Sequence, residues 1–195
     1  MRSLKIAVLF SIVALVSSCV VVSLQPLYLD ESKDVVYDPL LIGDWSWSDK
    51  EKTETLTFAQ SGGKVYEITY TADSATAKFY GRLVQVGSSK YLDVYPQEQD
   101  IDTGSYQNGL YKLMTINPTH FFVQVKDEGD VLKIAILDLD KFKKMLDAKK
   151  GKIAHVLIDD RIILTASPSE MQRFIAKYSQ DLLSGEQIFE RQKNQ

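Results

Sequence analysis

From Leu41 onward alternation of apolar residues with period two dominates, and runs patterned this way bury one face as β-strands. Leu56 and Phe58 alternate with Thr55 and Thr57. Tyr66, Ile68 and Tyr70 alternate with Glu67 and Thr69, and Phe79 and Leu83 share a face with Gly81 between them. Turn-forming residues separate these runs at Gly62-Gly63, Asp73-Ser74, Gly87-Ser88-Ser89 and Glu128-Gly129-Asp130, so sequential strands are expected to join as antiparallel hairpins. Further strands are expected over Tyr91–Tyr95, His120–Lys126, Val131–Leu137, Ile153–Ile158 and Arg161–Thr165. The fold class is therefore mainly β: an antiparallel meander of about eight or nine short strands, closed or nearly closed into a barrel so that no edge is left open.

Two helices are expected in the C-terminal third. Leu139, Phe142, Met145 and Leu146 recur at helical spacing behind a possible Asp138 cap, and a lysine-rich segment before Gly151 suits a helix C-terminus. Ser167-Pro168-Ser169-Glu170 has the form of a capping box with proline at the first helical position, followed by Met171, Phe174, Ile175 and Tyr178 on one face. That stripe reads as a face packed on the sheet, with a partner-binding helix as the rival.

The N-terminus has a different character. Arg2 and Lys5 precede the apolar run Ile6–Val16, which ends in small residues, the three-part layout of a secretory signal. Val16-Ser17-Ser18-Cys19 resembles the lipobox of bacterial lipoproteins, in which the cysteine sulfur is lipidated and the leader is cut off just before it. The resemblance implies a signal peptide over residues 1–18 and makes the chain's one cysteine, Cys19, the acylated first residue of a membrane-attached protein. One acyl chain binds only marginally and two or three hold firmly, so the polypeptide itself can be soluble. Val20 after the cysteine, in place of aspartate, resembles lipoproteins sent on to the outer membrane of Gram-negative cells. An uncleaved span from Leu4 to Leu24 is the rival, being just long enough to cross a bilayer. A lone acylated cysteine excludes an intramolecular disulfide and any cysteine-based metal or nucleophilic site.

Residues 19–39 carry Pro26 and the polar group Asp30-Glu31-Ser32-Lys33-Asp34 and read as a tether, with residues 40–195 as a single β-rich globular domain. Leu24, Leu27 and Tyr28 leave two forms of the tether open, a free leash or a strap docked on the domain. The net charge of −3 is shared between 26 acidic and 23 basic residues. Without a dense basic patch, such a chain is not expected to take nucleic acid as a partner.

Gly43-Asp44-Trp45 at the start of the meander resembles the Gly-x-Trp signature of lipocalins, in which the tryptophan closes one barrel end and an arginine from a late strand packs across it. The resemblance implies a lipocalin-like barrel and gives the arginine's part to Arg161, at the start of the last expected strand. The arrangement from Pro26-Leu27-Tyr28 through Gly43-Asp44-Trp45 to the closing strand and helix is also similar to uncharacterised bacterial lipoproteins, a likeness that brings no activity with it. Aromatics such as Tyr66, Tyr70, Phe79, Phe121 and Phe122 either fill the barrel or line a pocket for a small apolar ligand. The polar segment from Gln97 to Gly109 is the longest loop expected within the domain and reads as a mobile hairpin connection or a recognition loop.

Catalysis finds little support. His120 and His155 stand on separate expected strands without a ligand or base at motif spacing, and no phosphate loop, dinucleotide fingerprint or nucleophile elbow occurs. Asp138-Leu139-Asp140 and Asp159-Asp160 fit a helix cap and a turn. The expectation is a noncatalytic envelope lipoprotein with no cofactor and no metal. It either carries a small apolar ligand in the barrel or acts as an adaptor binding another envelope protein through its loop or C-terminal helix.

Overall fold

The computed structural model describes residues 21–49, 52–72, 75–97, 119–158 and 161–193. Cys19, residues 98–109 of the polar loop and the acidic pair at 159–160 lie outside the described residues. The elements run β1 (Val22–Ser23), α1 (Glu31–Asp34), β2 (Val35–Val36), a 3-10 turn (Pro39–Leu41), β3 (Gly43–Ser48), β4 (Thr53–Gly62), β5 (Val65–Ala72), β6 (Ala75–Val86), β7 (Ser89–Pro96), β8 (His120–Asp127), β9 (Val131–Ile136), α2 (Leu139–Asp147), β10 (His155–Ile158), β11 (Arg161–Leu164), α3 (Pro168–Leu182) and β12 (Gln187–Arg191).

The alternation does what its period requires. Strands β3 to β9 pair antiparallel in chain order, in registers such as Trp45↔Leu56, Leu56↔Tyr70, Ile68↔Phe79, Gly81↔Val94 and Leu92↔Val123. The barrel closes through β12, which inserts antiparallel between β9 (Phe189↔Leu132) and β3 (Arg191↔Trp45), giving eight strands. The C-terminal strand was not expected, and β10 and β11, expected as barrel strands, stand outside it. They form a hairpin attached to the barrel through β1, which pairs parallel with β11 (Val22↔Ile163) and antiparallel with β8 (Val22↔Phe121). One edge of β8 is thus divided between β9 at its C-terminal half and β1 at its start. One edge of β6 is divided likewise, pairing with β5 through Arg82 and then with β2 at Leu83 and Val84.

Alternation along each strand feeds two separate cores. Inside the barrel lie Leu41, Trp45, Phe58, Tyr66, Phe79 and Leu92 with their neighbours. The opposite faces of β6, β7 and β8 contribute Val84, Tyr91 and Phe122 to a second core beneath α2 and α3. Both predicted helices form. The Asp138 carboxylate accepts from Lys141 N at 2.9 Å, and Ser167 and Glu170 complete the capping box. The stripe Met171, Phe174 and Ile175 is buried against the second core, as a packing face.

The tether is a docked strap. Val21, Val22, Leu27, Val35 and Leu41 are each at most 2% exposed. Buried apolar residues therefore recur from residue 21 to the start of the barrel, on either side of the exposed helix α1.

Candidate functional site

Two places concentrate polar chemistry: the barrel interior and the seam between strap and barrel wall. Around Gly81 the interior is occupied by side chains. Gly81 faces inward on β6, and a methyl group there would lie 2.6 Å from Ile68 Cδ1 and 3.1 Å from Leu92 Cδ1, so glycine is needed because the space is already taken. Trp45 and Tyr66 beside it are fully buried. At the strap end, Tyr66 Oη donates to Asp38 O (3.1 Å) and accepts from Asp38 N (2.7 Å), and burial pushes its hydroxyl up to about 12. The Asp38 carboxylate meets Lys90 Nζ at 2.7 Å and is held below the usual range despite its partial burial, by Lys90 and the Leu40 N–H.

Trp45 is fully buried at this end, with Nε1 donating to Leu41 O at 2.9 Å. The guanidinium stacked on its ring, 4.0 Å from the centroid, belongs to Arg191 on β12. Arg191 also donates to Ile42 O at 3.0 Å and to Leu40 O. Arg161 stands at the start of β11 in register with Ile158, outside the barrel, and Arg191 occupies the place the resemblance gave it. The cause is topological: the chain returns to the barrel once more after β11 and α3. At the other end of β3 and β4, Glu54 is 5% exposed within the barrel and accepts from Gln187 Nε2 at 3.1 Å, among half-buried Trp47 and Tyr70.

The seam carries the densest cluster. Asp93 on β7 points out of the barrel beneath the strap and is fully buried. One carboxylate oxygen accepts from His120 Nδ1 at 2.6 Å, across the β7–β8 pair, and the other from Leu27 N of the strap at 2.8 Å. Burial raises the Asp93 carboxyl above its ordinary 3.8, while His120 and the Leu27 N–H oppose the shift. The His120 ring stacks obliquely on Tyr95, 5.5 Å between centroids. Arg82 lies between the rings of Tyr28 and Tyr95, 5.5 and 5.4 Å from their centroids, and reaches Glu31 of α1 at 3.2 Å. Strap residues Leu27, Tyr28 and Glu31 thus meet barrel residues Arg82, Asp93 and His120 in one latch. His155, by contrast, makes only a local bond to Ile153 O at 2.8 Å.

Sequence reading missed this latch because its members come from four elements and none carries a motif. The one visible signal is Asp93, a charged residue in the otherwise apolar run Tyr91–Tyr95. Replacing Asp93 by alanine strands the Leu27 N–H and the His120 ring, an expected loss of about 2–4 kcal/mol in urea unfolding. Asparagine keeps an acceptor for Leu27 and a donor for the other His120 tautomer, so it is expected to cost less than half as much. The pH dependence has a definite sign. A carboxyl whose folded pKa is raised makes the native state bind more protons, so wild type loses stability as pH rises from 3.8 through the folded value. Asp93→Asn lacks that slope and gains on wild type as pH rises across this window; a constant gap would show that Asp93 titrates normally.

Among the described residues no cluster of three or more His, Cys, Asp or Glu side chains suits a metal ion. No described helix is long and apolar enough to cross a membrane. Comparison with protein-family models, curated proteins and solved structures gives no significant match, so this chain is characterised by its own geometry: an eight-stranded antiparallel barrel with a latched N-terminal strap.

Proposed function

We propose that the protein is a noncatalytic, lipid-anchored component of the cell envelope, held by acyl chains on Cys19 and, in a Gram-negative host, directed to the outer membrane. Its barrel serves as a rigid support that presents outer surfaces to an envelope partner. The observation that carries this reading is the occupied interior around Gly81, since a carrier needs inward positions that leave room for its ligand. The Asp93–His120 pair is read as a fastening because both carboxylate oxygens are committed, one to the strap backbone. The strap in turn fits an anchored protein. It holds the domain close behind residue 19 where a free leash would let it swing.

A small-ligand carrier is the second reading. A β-barrel is compatible with it, and the observation in its favour is the buried Glu54 carboxylate among Trp47 and Tyr70 at the barrel end opposite the strap.

Native mass spectrometry of the protein extracted from host membranes tests both readings in one spectrum. The expected species begins at Cys19, carries the added mass of two or three acyl chains and holds no further small molecule. A stoichiometric apolar adduct would establish the carrier, and an unmodified Cys19 with the leader intact would establish the spanning anchor. Cys19→Ala is expected to move essentially all of the protein out of the membrane fraction.

A further inference from the structure

Helix α2 ends in a lysine-rich turn folded back onto α3. Lys149 adopts φ 54°, the left-handed conformation in which glycine is usual, while its N–H bonds Leu146 O at 2.9 Å and that of Lys150 bonds Met145 O at 3.1 Å. Gly151 lets the turn approach closely: a Cβ there would lie 2.8 Å from Met145 Sδ and 3.1 Å from Phe174 Cε2. Tyr178 Oη pins it by donating to Lys150 O at 3.1 Å. Lys149, Lys150 and Lys152 are thereby fixed beside Arg173 and Lys177 of α3 around a concavity of about 710 Å³. All five are exposed and none forms an ion pair with a described residue. The single acid lining this concavity, Glu170, is engaged by Ser167 N at 3.0 Å and Ser167 Oγ at 2.7 Å.

The other side of the lysine ridge sets the exposed Leu157 beside Lys143 and His155. A second concavity of about 560 Å³ joins Lys149 and Lys152 to Leu157 and Ile162, with Asp147 as its one acid. Leu157 of β10, 63% exposed, faces this concavity, while Val156 and Ile158, 43 and 51% exposed, alternate to the other face of a strand that pairs only with β11 among the described strands. The chain enters at this same place. The parallel register Val22↔Ile163 sets Val21 level with Ile162, which pairs with Leu157, and a chain can reach at most about 7 Å over the two residues back to Cys19.

We propose that this surface, with cations on one side of the Lys149–Lys152 ridge and the exposed Leu157 on the other, is where the protein lies on an anionic lipid bilayer. Leu157 enters the interface while the cations meet lipid phosphates, and the net negative charge of the whole chain turns its other faces away. The choice of a bilayer as occupant rests on the anchored reading above, which places acyl chains at this end.

The test uses the chain from residue 19 onward with Cys19→Ser, which retains every buried core residue and cannot be acylated. It is sedimented with vesicles of phosphatidylcholine alone or with about 25% phosphatidylglycerol. Binding is expected only to the anionic vesicles and to weaken at least tenfold between about 0.1 and 0.5 M salt. Each cation near such a surface strengthens binding roughly fivefold, so Lys149→Gln/Lys152→Gln/Arg173→Gln is expected to weaken it about 100-fold with an unchanged thermal midpoint. Leu157→Ser is expected to weaken it several-fold. Equal binding to both vesicles overturns the proposal; so does an inert Leu157→Ser together with competition by inorganic phosphate, which would mark a site for soluble anions. The assay contains no acyl chain on the protein, so a failure here and a failure of Cys19 acylation are read in separate measurements.

Discussion

A fragment beginning at Gly43 is expected to collapse into an expanded, aggregating state even though it contains all eight barrel strands. Residues 21–42 do more than cover the barrel. Val21, Leu27 and Val35 complete the core beneath α2 and α3, and Leu41 seals the barrel end over Trp45. Deleting them uncovers apolar surface on Val84, Tyr91 and Ile162 at once, leaves the Asp93 carboxylate without its Leu27 donor, and opens the β6 and β8 edges that β2 and β1 cover. The expected result is loss of cooperative unfolding and gain of dye binding to exposed apolar surface. The single change Leu27→Ala, at a fully buried position, is expected to cost about 2–5 kcal/mol. A monomeric, cooperatively melting fragment from Gly43 would show the strap to be dispensable.

The second large effect is expected at Trp45, where alanine should cost about 3–5 kcal/mol, a large share of the stability of a domain this size. The indole fills the barrel beneath the 3-10 turn, satisfies Leu41 O and supports the Arg191 guanidinium. Arg191→Ala is expected to cost about 1–2 kcal/mol, from the stacking and the two carbonyl bonds it makes. Because the two side chains are in contact, the double variant should fall short of the sum by at least 0.5 kcal/mol on the order of coupled neighbours. Arg161→Ala, on the half-exposed β11, should shift stability by no more than about 0.5 kcal/mol. Urea unfolding of these variants decides it, and a large Arg161 effect would return the closing role to β11.

Each element was legible in the sequence to the degree that its own local residues stabilise it. Strands β4 and β5 were legible because inward positions such as Leu56, Phe58, Tyr66 and Ile68 alternate with polar outward ones, while β6, β7 and β8 are apolar on both faces where Val84, Tyr91 and Phe122 feed the second core. Helices α2 and α3 were legible from local capping chemistry at Asp138 and Ser167. Strand β12 was not, because its inward residues are Gln187, Phe189 and Arg191, and an apolar residue, Ile188, points outward at 48% exposure. Its place depends on partners more than 50 residues away in sequence, Leu132 and Trp45. The latch was illegible for the same reason. Asp93, His120, Arg82 and Leu27 become a cluster only through barrel curvature and strap docking. The lysine turn was read as the end of a helix, and nothing local to it announces Arg173 and Lys177 on the next helix.

The position of β12 between β3 and β9 also sets a schedule. A chain made from its N-terminus presents β3 long before residues 187–191 exist, so the β3 and β9 edges that β12 covers cannot be satisfied until those residues are available. Parallel pairing of Val22 with Ile163 imposes the same delay on the strap. Contacts this distant in sequence make for slow folding that ends in a single late closure. If the chain is threaded through a translocation channel in extended form, as the proposed anchoring requires, this topology keeps the barrel from locking shut until residue 191 has emerged.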